Sequence, residues 1–291
     1  MPKLSDKRKP EWLKIKVPGD EGYRIIKHLL KNYDLHTVCE EAMCPNVEEC
    51  WRQKTATFMI LGNICTRNCR FCGIQKGIPL PPDLEEPTHL AEAVEALGLH
   101  YVVITSVDRD DLSDGGAVHW AESIKKIREL CPDCRIEILI PDFKGDTSLL
   151  DTVLEAEPHV VGHNLETVPS LYFLARPKGN YNLSLKVLKY ISEKGFHTKT
   201  GIMVGLGENP KEVVTLMKNA YKNGVSSFTL GQYLQPSVRQ LPVKEYITPA
   251  QFENYKKIGI SIGFAHVESG PLVRSSYHAK EQILFGKQGT L

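Results

Sequence analysis

The sequence has no apolar run long enough to cross a bilayer, no excess of charge of either sign, no internal repeat and no low-complexity segment. Each of these lacks removes a class of function. Lys and Arg number 36 against 35 Asp and Glu, a formal charge of +1, so no global field gathers nucleic acid or an anionic membrane surface. Met1 to Pro10 is a short basic stretch with no apolar segment behind it, which predicts a soluble, cytoplasmic protein without a secretory signal. What is present is 291 residues, 42% hydrophobic, enough to bury a large core as two small domains or one α/β barrel. The eight cysteines are even in number, but disulfide frameworks belong to small secreted chains that lack a core. Six of the eight fall between Cys39 and Cys72 with few histidines beside them, and thiols clustered in this way favour metal ligation.

From Thr57 onward, short β-rich apolar runs alternate with longer amphipathic stretches, the pattern of βα units around a parallel sheet. The expected strands are Thr57–Leu61, Tyr101–Ser106, Arg135–Ile140, His159–Asn164, Lys199–Val204 and Ser227–Gln232. The expected helices lie around Leu90–Leu97, Ala117–Leu130, Leu149–Ala156, Ser184–Lys194, Lys211–Asn223 and Ala250–Ile258. Two helix starts are marked by a cap residue, a proline and an acid or amide: Asn209-Pro210 with Glu212, and Thr248-Pro249 with Gln251. Six parallel units form a partial barrel or a flat doubly wound sheet, and in both the site lies at the carboxyl ends of the strands. Residues 1–56 form an extension organised by a metal, 57–263 the βα body and 264–291 a tail, while Pro79–Pro87 reads as a rigid loop.

Directly after the first strand comes Cys65-Thr-Arg-Asn-Cys69-Arg-Phe-Cys72. Three thiolates in so short a loop hold three irons of a 4Fe–4S cube and leave the fourth open, whereas a zinc site wants a fourth protein ligand and none is near in sequence. This spacing, with Phe71 before the last cysteine, resembles the radical S-adenosylmethionine (SAM) superfamily. That resemblance implies a partial (β/α)6 TIM-type barrel in which the open iron binds the amino and carboxylate groups of SAM, and the reduced cluster cleaves it to a 5′-deoxyadenosyl radical. Asp114-Gly115-Gly116 matches the superfamily's glycine motif around the methionyl group. Gly201-Ile-Met-Val-Gly205-Leu-Gly207-Glu208 resembles its G-x-I-x-G-x-x-E segment, with Met203 where isoleucine is usual. Asn164 at the end of the fourth strand and Arg176 beyond it read, by position only, either as SAM contacts or as structural residues. The expected SAM-binding set is thus Phe71, Gly115, Gly116, Asn164, Arg176, Gly205 and Glu208.

Cys39-Glu-Glu-Ala-Met-Cys44-Pro-Asn-Val-Glu-Glu-Cys50 again offers three thiolates without an obvious fourth, and alone it fits a structural zinc or a structural cluster equally well. Its order before the first loop and a terminal Arg274-Ser275-Ser276-Tyr277-His278-Ala279 resembles the lipoyl synthase family over nearly the whole chain. Lys9-Pro-Glu-Trp-Leu-Lys, Val103-Ile-Thr-Ser-Val-Asp-Arg-Asp-Asp-Leu, His163-Asn-Leu-Glu and Leu230-Gly-Gln-Tyr-Leu-Gln-Pro-Ser add to the likeness. The resemblance implies that Cys39, Cys44, Cys50 and Ser276 hold an auxiliary 4Fe–4S cluster consumed as the sulfur source, and that Cys65, Cys69 and Cys72 hold the radical cluster. It further implies a sulfurtransferase of lipoate biosynthesis that uses two SAM molecules to place sulfur at carbons 6 and 8 of an octanoyl-lysine. The partners it implies are octanoylated carrier domains (the glycine cleavage H protein or the 2-oxoacid dehydrogenase E2), an electron donor such as ferredoxin or flavodoxin, and an iron–sulfur carrier, with neither nucleic acid nor membrane. An unactivated C–H bond has no acidic proton, so no side-chain acid or base is needed for the abstraction.

Two further readings share the motifs: a radical SAM reaction in which the second cluster only relays electrons, and a non-catalytic electron carrier. Six βα units are more scaffold than a carrier needs. Cys131-Pro-Asp-Cys134 lies between a helix and the next strand, on the face opposite the site, where residues usually serve stability. Asp108-Arg-Asp-Asp111 follows the second strand on the active face and is either a solvated loop or functional. His163 reads as a hydrogen-bonded structural histidine or a ligand. Tyr277 and His278 pack around the serine's cluster if the family pattern holds.

Overall fold

A computed structural model describes residues 9–14, 21–41, 44, 46–52, 57–277 and 279, so His278 lies outside the described residues. The extension contributes helix α1 (Glu21–Asn32), strand β1 (His36–Thr37) and helices α2 (Val38–Glu41) and α3 (Val47–Arg52). Ile26 and Leu30, four apart on one face of α1, are buried and join Trp51 of α3 in the main core. β1 runs antiparallel to β2 (Thr57–Ile60), with Thr37 opposite Phe58, so the extension is hydrogen-bonded to the first strand of the body.

The body follows in alternation. After β2 come a two-residue pair, β3 (Ile64–Cys65) and β4 (Gln75–Lys76), then α4 (Glu86–Ala96), β5 (Tyr101–Ser106), α5 (Ala117–Leu130), β6 (Arg135–Leu139) and α6 (Thr147–Leu154). The second half holds β7 (Val160–Gly162), α7 (Pro169–Ala175), α8 (Tyr181–Glu193), β8 (His197–Val204), α9 (Pro210–Lys222), β9 (Ser227–Gln232), α10 (Pro249–Ile262) and β10 (His266–Gly270). The main sheet has the order β1-β2-β5-β6-β7-β8-β9-β10, and from β2 to β10 each neighbouring pair is parallel. Because each strand is succeeded in the sheet by the next in sequence, every loop at the carboxyl ends faces the same mouth. This is an open, partial (β/α) barrel, and β1 and β10 are its edges.

All six expected βα units are present, and both capped helices begin where the sequence marks them. Asn209 accepts from Glu212 N while Glu212 reaches back to Asn209 N, a full capping box, and Thr248 accepts from Gln251 N. Three differences stand out. A seventh parallel strand, β10, lies within the segment read as tail, pairing Val267 with Phe228 and Glu268 with Thr229. Helix α7, for which no element was expected, fills the crossover before α8. The stretch read as a rigid loop to Pro87 is shorter, because Pro87 already sits in the first turn of α4, where a missing N–H costs nothing. Among the described residues no helix is long and apolar enough to cross a membrane.

Candidate functional site at the barrel mouth

The loop carrying Cys65, Cys69 and Cys72 leaves β2 through a sharp turn in which Leu61 and Gly62 both have left-handed backbones, φ 68° and 81°. Its neck is closed by the β3–β4 pair, with Gly77 N donating to Cys65 O at 3.1 Å. Arg67 locks its centre. That side chain is 5% exposed, donates to Asp110 at 2.8 and 2.9 Å and to Asp142 at 2.8 and 2.7 Å, and lies 3.4 Å from Asp108. Thr66 adds a hydroxyl donor to Asp108 O at 2.8 Å, so the loops after β5 and β6 grip the cysteine loop from below. The charged run Asp108–Asp111 therefore has a structural task here. Its Arg109 donates to the carbonyls of Leu61 and Leu80 and pairs with Asp111.

The second triad is built by the extension and the tail together. Cys44 N donates to Cys39 O at 3.0 Å and Cys50 N to Asn46 O at 3.0 Å, which folds the segment into consecutive turns. Asn46 Nδ2 donates to Leu272 O at 2.7 Å, and Tyr277 OH donates to Glu49 at 3.3 Å, so the chain after β10 is tied across the open edge to α3. Close approach is possible because Gly231 has no side chain: a Cβ there would collide with the carbonyl of Val273. Ser275 exchanges hydrogen bonds with Asn164, 2.8 Å from Nδ2 to Oγ. The Ser276 side chain makes no hydrogen bond among the described residues and lines the cavity.

The first triad and two cysteines of the second open onto one cavity of about 510 Å³. Cys39, Cys44, Cys65, Cys69, Cys72, Ser275 and Ser276 line it, with apolar walls from Met59, Val103, Leu139, Ile202 and Met203. Burial, then the neighbouring thiol of Cys44, pushes Cys39 up to about 11. Burial and the thiols of Cys39 and Cys44 push Cys50 up to about 12. Burial likewise lifts Cys69 to about 11 and Cys72 to about 12. Three thiols that disfavour one another's ionisation suit a multi-iron cationic group that deprotonates all three at once. Among the described residues no three His, Cys, Asp or Glu converge as for a single metal ion. The corners of a cube set its ligands further apart than a mononuclear site does, and the donor set, all sulfur plus one hydroxyl, fits iron–sulfur clusters.

Of the expected SAM contacts, the structure brings Phe71, Asn164 and Arg176 to the cavity. Gly115, Gly116, Gly205 and Glu208 do not line it. Gly116 is the left-handed cap of α5 at φ 87°, where a Cβ would meet Leu61 Cδ1 at 2.5 Å, and Gly115 abuts Phe143. Glu208 accepts from Gly205 N at 2.5 Å and Leu206 N at 3.0 Å, fixing the turn behind β8. A lining residue that motif reading did not single out is Glu166. Its backbone is left-handed at φ 67°, it continues the β7 ladder beside Ile202, and burial raises its carboxyl while Arg176 and Asn164 pull it down. Strain at a non-glycine residue facing a cavity is typical of a ligand-binding position, and only its place in His163-Asn-Leu-Glu hinted at it. Arg176 donates to Asn164 O at 3.2 Å and Tyr172 OH at 2.9 Å, and its buried Nε–H has no partner.

The remaining candidates are elsewhere. His163 is 2% exposed, bonded to Ile140 O and Ser184 Oγ at 2.9 Å each, and burial pushes it down to about 4, a neutral structural imidazole. Cys131 and Cys134 close a turn at the amino end of β6, away from the cavity, with Cys134 N donating to Cys131 O at 2.9 Å. All eight cysteines are free thiols.

A partial parallel barrel with a three-cysteine loop at the top of its first strand is the layout of the radical SAM enzymes. Residues 59–220 match the Radical SAM superfamily, and residues 1–44 match the N-terminal domain of lipoyl synthase of the Radical SAM family. Solved structures of methylornithine synthase and of HydG, a hydrogenase maturase, share the fold at TM-scores of 0.56 and 0.55. They are 13% and 16% identical and cover 87% and 93% of this chain, which spans 79% and 65% of theirs. Among curated relatives, lipoyl synthase of Rubrobacter xylanophilus is 53% identical over 97% of this chain and 89% of its own length. Lipoyl synthase of Phocaeicola vulgatus is 52% identical over 96% and 98% respectively. The chain belongs to the lipoyl synthase family.

Proposed function

We propose that this chain inserts two sulfur atoms at carbons 6 and 8 of an octanoyl group carried on a lysine of a lipoyl carrier domain. The observation that carries the reading is that all three cysteines of the barrel loop and two of the extension's three, Cys39 and Cys44, line a single apolar-walled cavity. When bound, the barrel cluster supplies the electron that turns SAM into a 5′-deoxyadenosyl radical, and the auxiliary cluster supplies sulfur. Cys65, Cys69 and Cys72 hold the first and, by offering three ligands only, leave one iron free for SAM. Cys39, Cys44 and Cys50 hold the second with Ser276 as fourth ligand, a hydroxyl free for the purpose where that of Ser275 is engaged by Asn164. Phe71, Asn164 and Arg176 position SAM, with Glu166 as an acceptor beside the Arg176 donor, a pairing suited to a zwitterion and hydroxyls. Gly115, Gly116, Gly205 and Glu208 act behind them by fixing backbone turns.

The cavity walls exclude water from a radical and hold the reacting carbon against the sulfur donor, which is the positioning such chemistry needs. The carrier is an octanoylated H protein or E2 domain. A ferredoxin or flavodoxin supplies electrons, and an iron–sulfur carrier rebuilds the auxiliary cluster. Two complete cubes predict about eight irons per chain. Replacing Cys65, Cys69 and Cys72 together by Ala is expected to leave about half the iron and to abolish SAM cleavage. Continued release of 5′-deoxyadenosine by that variant refutes the assignment.

A further inference from the structure

Three segments around the radical loop, 65–82, 167–180 and 233–244, carry seven Lys and Arg and no Asp or Glu, in a chain whose formal charge is only +1. The fold gathers them into one collar. Arg70 N donates to Ala175 O at 2.8 Å and Arg70 O accepts from Leu241 N at 2.9 Å, stitching the cysteine loop to the end of α7 and to the loop after β9. Lys76 donates to Cys69 O at 3.0 Å, Lys178 to Thr66 O at 3.0 Å, and Gln240 to Cys72 O at 3.3 Å. Arg70, Lys76, Lys178 and Arg239 are exposed, and none forms an ion pair among the described residues. Beside them stand two apolar side chains in open solvent, Phe173 at 81% and Val238 at 96% exposure. Unpaired cations around exposed apolar anchors make a surface complementary to an acidic protein.

Resting on the function proposed above, we infer that this collar is the docking face of a small acidic one-electron carrier protein. The carbonyls of Cys69 and Cys72 point into the collar's own hydrogen bonds, so a donor seated there is separated from the cluster ligands by a single layer of backbone. Electron transfer weakens steeply with distance, and this is the short route. The step is one electron from the reduced carrier to the cluster, which leaves the carrier oxidised and moves no proton and breaks no bond. An acyl carrier domain must deliver its lysine arm to the cavity, and Arg70, Phe173, Val238 and Arg239 do not line it.

The test uses the reconstituted two-cluster protein with an acidic ferredoxin, reduced for turnover and oxidised for binding by calorimetry, beside dithionite as a small-molecule reductant. Arg239→Glu and Phe173→Ser should each weaken ferredoxin binding by roughly tenfold and raise the ferredoxin concentration for half-maximal 5′-deoxyadenosine release to match. Binding by the wild type should fall steeply with salt. Dithionite-driven release, and KM for an octanoylated carrier domain, should stay within about twofold. Unchanged ferredoxin binding in both variants overturns the inference, as does a raised KM for the acyl carrier with ferredoxin binding intact. A wild-type protein that cleaves no SAM with dithionite overturns the proposed function and takes this inference with it. Wild-type turnover with dithionite, together with ferredoxin-driven turnover that the collar substitutions leave unchanged, overturns the inference alone.

Discussion

Replacing Arg67 by Met removes the one cation that two buried loops share. The four hydrogen bonds it donates to Asp110 and Asp142 lie at 2.7–2.9 Å, and the side chains of Arg67 and Asp142 are 5% and 3% exposed. Removing one partner of a buried ion pair costs about 3–5 kcal/mol, because the other charge stays buried without compensation. Asp142 is stranded in the interior while the partly exposed Asp110 keeps Lys144 at 3.9 Å, which places the expected loss within that range, about 3–5 kcal/mol near neutral pH. The pH dependence carries the sharper sign. In the native protein burial pushes Asp142 up, but the Arg67 hydrogen bonds and charge outweigh it and bring the carboxyl down to about 2. A depressed carboxyl contributes stability that is present above its unfolded pKa and is lost as pH falls from about 4 towards 2, here roughly 2 kcal/mol. In Arg67→Met burial, the largest influence, is opposed only by the weaker effects of the Lys144 N–H and His163, so the carboxyl is raised and the variant gains stability as the medium is acidified below neutral. Urea unfolding followed by circular dichroism from neutral to mildly acidic pH reads both slopes. A variant that loses less than about 1 kcal/mol, or whose stability falls on acidification as the native protein's does, refutes the clamp.

The serines separate cleanly. Ser276→Ala is expected to keep SAM cleavage and lose sulfur insertion, whereas Ser275→Ala, which loses only its bonds to Asn164, keeps the auxiliary cluster's unique iron; Mössbauer spectra of the radical-loop triple variant report which serine matters. Cys131→Ala with Cys134→Ala should leave iron content and turnover near wild type, since both thiols sit at the opposite end of the barrel, and loss of iron on that change would expose an overlooked ligand pair. His163→Gln should destabilise the fold by about 1–3 kcal/mol through its lost buried partners, without altering the pH dependence of turnover between 6 and 8; a shifted profile would mean the imidazole titrates at work.

The body of the barrel was legible because short β-rich runs alternate with amphipathic stretches and two of its helices carry their own start signals at Asn209 and Thr248. β10 was not, because His266–Gly270 is mostly polar, only Val267 is fully buried, and its strand character comes from the register of β9 beside it. The six clustered cysteines stood out by residue type and spacing, and five of them meet at the cavity, but spacing alone left the second triad open between a zinc and a cluster. The glycines' place behind the cavity was not legible for a physical reason: a glycine signals close approach but does not say of what, and at Gly116 the neighbour is Leu61. Glu166 had no local signal, because its left-handed backbone and its meeting with Arg176 are products of the tertiary fold.

The central claim is that the chain's own auxiliary cluster is spent on an octanoyl carrier. Protein reconstituted anaerobically with heavy-isotope sulfide, then freed of excess sulfide, is mixed with SAM, reductant and an octanoylated carrier domain in one turnover, and the carrier is weighed by mass spectrometry. The account predicts a carrier heavier by two sulfur atoms, both of the heavy isotope, with two 5′-deoxyadenosines released for each lipoyl group formed. An unmodified carrier despite SAM cleavage, or sulfur of natural isotope drawn from the medium, contradicts it.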